Sequence, residues 1–242
     1  MNKLTSLSLG LLLALASAAH AQKKNIVLHY DFAKAQSGIV KDLGPNHADA
    51  RLMNDARVEG HSLVLEAKDA YLDMTPAAGR VMQQLTDFTV YTRYYISPDT
   101  QIKGYGYFLW CFSCLEANRD KEGPYHAYRV NEQRCETSIG GYTQETGIQK
   151  GKLTEQGKWI SVIFRQQDGK GELYIDGQLI GTQTGFPRPA DIFRPQAPSY
   201  NWMGRAPFNG DNYLKQARIS DFRIYNIAIS DKEMTKLLKL KK

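Results

Sequence analysis

The chain has 242 residues, a formal net charge of +6 and 42% hydrophobic residues, a length that suits one all-β domain and is ample for a buried core. Its basic residues are scattered, apart from Lys236, Lys239, Lys241 and Lys242 near the end. That dispersion argues against a nucleic-acid partner and leaves an acidic polysaccharide open.

The first 21 residues read as a cleaved leader. Lys3 supplies a small positive n-region and Leu7 to Leu15 an apolar run. Ala19-His20-Ala21 makes a small-x-small cleavage site before Gln22. The run is too short to span a bilayer. Nothing later is apolar enough to do so. The expectation is an exported protein, periplasmic or extracellular, with residues 22–242 as its single domain.

From there the chain reads as short strands separated by Gly, Pro, Asn and Asp turns. NIVLHYDF from Asn25 opens the fold, and Leu43-Gly44-Pro45-Asn46 is a turn. Strands are expected at Ser62–Glu66, Tyr71–Met74 and Phe88–Ile96. The last places Phe88, Val90, Tyr94 and Ile96 on one face and Tyr91, Arg93 and Tyr95 on the other. Tyr105–Cys114 and a returning Tyr125–Val130 follow, with Ile139–Tyr142 continuing the sheet. From Trp159, Ile160, Val162 and Phe164 alternate with Ser161, Ile163 and Arg165. Asp168-Gly169 and Asp176-Gly177 then supply the positive φ of tight hairpin turns. The Pro-rich stretch Thr184–Tyr200, with Phe186, Ile192 and Phe193, is a candidate functional loop. Helical period enters at the end, where Ser230-x-x-Glu233 forms a capping box before Met234, Leu237 and Leu238.

Two blocks carry a resemblance: WISVIFRQQDGKGELYIDG from Trp159, and NWMGRAPFNGDNYLKQARISDFRIYNIAIS from Asn201. Together they resemble the laminin-G-like branch of the concanavalin A-like lectin/glucanase superfamily. The resemblance implies an all-β jelly roll of two antiparallel sheets, a concave ligand face and a carbohydrate partner. It also implies calcium. VKDLGPNHADARL is similar to the family's acidic turn, with Asp42, Asn46 and Asp49 at matching positions, and Asp221 opens the closing strand. Asp42, Asn46 and Asp221 are therefore the expected metal ligands, for a structural Ca²⁺.

The residues point to sugar binding more than to sugar cleavage. Laminarinase-like relatives carry an E-x-D-x-E strand, which is absent; Glu132, Glu136 and Glu145 are spaced too widely for one short strand. Aromatic faces that stack on sugars are abundant, with 14 Tyr and 3 Trp. The expected binding face is Tyr95, Tyr107, His126, Tyr128 and Arg129, brought together from adjacent strands. Trp110, Trp159 and Phe108 are expected in the core. The leading function is an exported protein that binds a polysaccharide or oligosaccharide. The alternatives are a glycoside hydrolase or polysaccharide lyase on the concave sheet, and a protein-binding adhesion module. Should the first face fail, the surroundings of Phe193 and Trp202 are the next candidate. Among the cysteines, Cys111-Phe-Ser-Cys114 lacks the partners of a redox or metal site. Cys135 paired with Cys111 or Cys114 is the expected disulfide.

Overall fold

The computed structural model describes residues 25–114 and 123–240; the leader, with its cleavage site, lies outside them. The strands run in order β1 (Ile26–Tyr30), β2 (Ala35–Gln36), β3 (Ile39–Val40), β4 (Ala50–Met53), β5 (Arg57–Glu59), β6 (Ser62–Leu65) and β7 (Tyr71–Asp73). Helix α1 (Ala77–Met82) precedes β8 (Phe88–Ile96), β9 (Phe108–Ser113), β10 (Tyr125–Arg129), β11 (Arg134–Ser138) and β12 (Glu145–Gln149). Then come β13 (Trp159–Gln167), β14 (Lys170–Ile175), β15 (Gln178–Thr184), helix α2 (Pro189–Phe193), β16 (Tyr200–Met203), β17 (Ala217–Tyr225) and helix α3 (Asp231–Leu238).

Two antiparallel sheets form a jelly-roll sandwich. The first has the order β15-β14-β13-β8-β17-β6-β5, with β1 also paired to β17; the second runs β12-β11-β10-β9-β16-β7-β4-β3-β2. The hairpins follow from their turns. Asp168 (φ 50°) and Gly169 (φ 73°) join β13 to β14, and Asp176 (φ 49°) and Gly177 (φ 81°) join β14 to β15. Both two-residue turns carry positive φ at both positions, the pattern whose twist matches the flanking strands.

Between the sheets lies an aromatic core. Phe88, Val90, Tyr94 and Ile96 of β8 meet Ile160, Val162 and Phe164 of β13, with Trp110 and Phe112 from the second sheet. The alternation along β8 and β13 is as the sequence predicts. It also corrects one expectation. Trp159 belongs with Ser161 and Ile163, so it faces outward and is half-buried. Phe108 is buried too, but in a separate cluster on the outer face of the second sheet, with Cys111, Tyr125, Ala127 and Phe208.

Two further expectations are corrected, the strand at Ile139–Tyr142 and the disulfide. The strand expected at Ile139–Tyr142 lies earlier, at Arg134–Ser138; Ile139 is exposed in the turn that follows. The Pro-rich stretch folds onto the core through Phe186, Ala190 and Phe193, which are buried. All three cysteines are free. Cys111 on β9 and Cys135 on β11 have β10 between them, a separation of roughly 9–10 Å. A disulfide spans less than that, and Cys135 faces the core while Cys111 faces out. Cys114 Sγ instead donates to the Gln196 carbonyl at 3.3 Å.

The two tryptophans should therefore differ in denaturant unfolding. Trp110→Ala is expected to cost about 3–5 kcal/mol as a core truncation. Trp159→Ala should cost about 1–2 kcal/mol, the weight of one aromatic pair and one cation–π contact. Equal losses would place Trp159 back in the core.

Candidate functional site

The outer face of the first sheet is laid out by register. Trp159, Tyr95 and Arg218 stand opposite one another across β13, β8 and β17; Ser161, Arg93 and Asp221 form the next row. Arg218 and Asp221 are three residues apart and would point to opposite faces of a regular strand. A bulge between Ile219 and Asp221 adds one residue and turns both outward.

A third row, Ile163, Tyr91 and Arg223, runs beneath helix α3. Met234 and Leu237 of the helix pack on Tyr91, Ile163, Tyr174 and Tyr225. Ser230 and Glu233 complete the capping box that starts the helix. Arg165 ties it down, bonding Asp231 at 2.7 Å and the Ile229 carbonyl at 2.9 Å. The helix thus covers one end of the sheet face and leaves the other open.

The open end is a cleft of about 680 Å³, lined by Glu66, Tyr95, Ser97, Trp159, Gln216 and Arg218 among others. The Trp159 and Tyr95 rings lie 5.8 Å apart at 48°. Arg93 sits over the Trp159 ring at 5.0 Å and holds it in place. Glu66 is exposed and paired with Arg57 at 2.9 Å. Two aromatic surfaces, an arginine, a carboxylate and an amide therefore converge on one depression. The volume lies in the range of small-ligand pockets, roughly 300–1,000 Å³.

Of the five residues expected to bind ligand, only Tyr95 is at this cleft. Tyr107 is buried, its hydroxyl donating to the Lys103 carbonyl at 3.0 Å. His126 is fully enclosed, with the Phe88 and Phe164 rings at 5.2 and 5.3 Å and Thr137 Oγ1 at 2.9 Å from Nδ1. Burial pushes its pKa down to about 3, so the imidazole is neutral. Tyr128 is stacked on Trp110 in the core at 5.0 Å. Arg129 lies on the outer face of the second sheet, paired with Glu132 at 2.9 Å and Glu136 at 3.4 Å. The expected single face is thus divided among the core and two opposite surfaces. In β10, alternation puts His126 and Tyr128 on one face, and that face is the core.

The β11–β12 hairpin brings together acids that no single strand could. Glu136 on β11 and Glu145 on β12 point to the same side, with Arg134 bonded to both. Tyr125 donates its hydroxyl to Glu145. Glu136 is completely buried, and burial pushes it up to about 8 against the pull of Arg129 and Arg134. Arginines hold both carboxylates: Glu136 is sealed from solvent, while Glu145 and Arg134 line a shallow depression with Gln149 and Gln183.

Each of the three expected metal ligands is engaged by other groups of the protein. Asp42 accepts three backbone N–H bonds, from His29 and Gly44 at 2.8 Å and from Ala48 at 2.9 Å. Asn46 donates to the Val27 carbonyl at 2.8 Å. Asp221 is engaged by Arg223 at 2.8 Å and by His29 Nε2 at 3.3 Å. Burial alone would raise the Asp221 carboxyl; the bonds from His29 and Arg223 outweigh it and hold the carboxyl below its ordinary range. His29 therefore links the Asp42 turn to β17. Among the described residues no group of three His, Cys, Asp or Glu side chains is placed to hold a metal ion.

A family model described as the concanavalin A-like lectin/glucanases superfamily, Laminin_G_3, matches residues 67–235. The chain belongs to this superfamily. No curated protein matches its sequence. The superfamily fold is shared with the binding domain of botulinum neurotoxin serotype D, at TM-score 0.61 and 12% identity, over 90% of this chain and 52% of that one. The receptor-binding domain of the mosaic serotype C/D toxin gives 0.63 and 15%, over 90% and 51%. Trypanosoma rangeli sialidase in complex with sialic acid gives 0.59 and 16%, over 89% and 33%. The chain thus spans about half the length of the toxin domains and a third of the sialidase. At these identities the likeness is one of fold.

One of the missed cleft residues had a signal in the sequence. Trp159 shares its parity with Ser161 and so reads as outward; Arg218 shares the parity of core Phe222 and Ile224, and only the bulge in β17 turns it outward, which alternation does not reveal.

If Asp42 is a staple and not a metal ligand, Asp42→Ala should lose at least about 2 kcal/mol, because three backbone donors lose a charged acceptor. Added chelator should leave the melting curve of the unaltered protein unchanged. A melting temperature that fell in chelator and recovered with Ca²⁺ would reverse this reading.

Proposed function

We propose that the protein binds carbohydrate in the cleft of Tyr95 and Trp159. The observation that carries this is the cross-strand aromatic pair, half-buried at the base of an open cleft and ringed by Glu66, Ser97, Gln216 and Arg218. Aromatic faces suit the apolar side of a pyranose ring, and the polar groups suit its hydroxyls.

Binding without cleavage is the better reading of this cleft. Glycoside hydrolysis needs two carboxylates flanking the scissile bond. Glu66 is the one carboxylate of the cleft lining among the described residues, and Arg57 engages it. The neighbours in fold support a saccharide partner: cell entry of the type C toxin depends on two ganglioside molecules, and the sialidase is seen with sialic acid. Lys3, the apolar run and Ala19-His20-Ala21 support export, which would place the cleft where polysaccharides are met.

An immobilised glycan panel probed with the protein from Gln22 onward tests the reading. At least one saccharide should bind. Trp159→Ala and Tyr95→Ala should each weaken it about tenfold or more, the weight of about 1.4 kcal/mol, with the melting temperature little changed. Unaltered affinity in both variants would remove the cleft as the site. Binding of a protein ligand alone would favour the adhesion module.

A further inference from the structure

A second constellation lies on the opposite side of the sandwich. In β16, Asn201 and Met203 turn toward the core side, while Tyr200 and Trp202 turn outward. Trp202 stands opposite Asp73 of β7, and Asp73 opposite Arg51 of β4. After β16 the chain turns at Gly204, with φ 90° and no room for a Cβ, which would lie 2.6 Å from Leu65. The next residue, Arg205, is thereby swung back over the sheet.

Its guanidinium lies 4.0 Å from the centre of the Trp202 ring, 4.9 Å from Tyr71 and 5.5 Å from Tyr213. The rings brace one another: Tyr71 meets Trp202 and Tyr213 edge-on at 6.0 Å, and Tyr200 packs on Trp202 at 5.0 Å. Arg205 is half-buried, and among the described residues no Asp or Glu pairs with it. Its situation is unlike that of Arg129, Arg134, Arg165 and Arg223, each of which pairs with a carboxylate. Packing alone explains an arginine on an aromatic ring. It does not explain three rings around one cation that no carboxylate among the described residues answers.

We propose that Arg205, in its box of Tyr71, Trp202 and Tyr213, is a second saccharide site that takes an oxyanion-bearing sugar. A stacked guanidinium keeps its N–H edge free, and that edge matches a carboxylate or sulfate in two parallel hydrogen bonds. Tyr200, half-buried, offers ring surface to the sugar beside it, while Trp202 is buried beneath Arg205 and serves to hold the guanidinium. Asp73, whose Oδ1 accepts from the Thr75 N–H at 2.9 Å, is the hydroxyl acceptor at the far side of Trp202. Arg51, exposed beyond Asp73, adds positive charge that offsets that carboxylate for an approaching anion. The site shares no residue with the Tyr95–Trp159 cleft and stands whether or not that cleft binds.

The test uses the whole described domain and three probes: an oligogalacturonate, its carboxyl-reduced neutral counterpart, and a sulfated neutral oligosaccharide, each titrated by calorimetry at low and high salt. The oligogalacturonate should bind, more weakly at high salt, and the reduced form should bind at least about tenfold less. Arg205→Gln should abolish that preference. Arg205→Lys, which keeps the charge and loses the planar fork, should retain part of it. Trp159→Ala should leave it untouched, which separates this site from the cleft. Preference for the sulfated probe, lost in Arg205→Gln, would support the site with sulfate as its anion. Equal binding of the charged and reduced probes, no binding of any anionic probe, or full binding by a folded Arg205→Gln protein would overturn the proposal.

Discussion

The period-two alternation of β8 governs both what the sandwich buries and what it displays. Phe88, Val90, Tyr94 and Ile96 fill the core, while Tyr91, Arg93 and Tyr95 face away from it. A slip of one residue would exchange the sets, drive Arg93 into an apolar interior and expose four core side chains. Because β8 lies between β13 and β17, its register is passed to both. The rows that bring Trp159, Tyr95 and Arg218 side by side exist only in the register that also packs Phe164 on Phe88, 5.7 Å apart. Site and core are two readings of one pairing.

Charge is managed differently on the two outer faces. On the first sheet, buried Asp221 is surrounded by donors, and His29 carries the connection onward to the Asp42 turn. On the second, Glu136 sits under Arg129 and Arg134 with Glu145 close by. A buried charge stripped of its partners is costly, so these networks behave as units that secure strand positions. Arg205 departs from this pattern, and so draws attention to a surface that no catalytic motif marks.

Much of the fold was legible because turns and faces are local properties. The two Asp-Gly hairpins, the capping box and the two faces of β8 and β13 stand where the residues place them. The binding face was less legible, for a specific reason. Alternation says which residues share a face but not which face the second sheet will cover. In β13 the even-numbered Ile160, Val162 and Phe164 are apolar, so the outward place of Trp159 could have been read. In β10 both faces carry a tyrosine, Tyr125 on one side and Tyr128 on the other, and only packing against Trp110 decides between them. Likewise Glu136 and Glu145 meet through a hairpin whose second strand has a weak pattern. Arg205 and Tyr71 meet through a loop and a sheet pairing that distant segments supply.

The strand order has a kinetic consequence. Helical folds assemble from neighbours in sequence, but here the centre of the first sheet cannot close until the far end of the chain arrives. Ile26 pairs with Tyr225, and β8 stays half-partnered until residues 217–225 reach it. Loop closure must be met in full before those contacts stabilise anything, so folding should be slow for a domain of this size. Until then β8 presents an open, aromatic edge, the kind of surface that invites pairing with another chain. The aromatic richness that furnishes two outer faces thus makes the unfinished chain adhesive, and its handling before folding matters as much as its final stability.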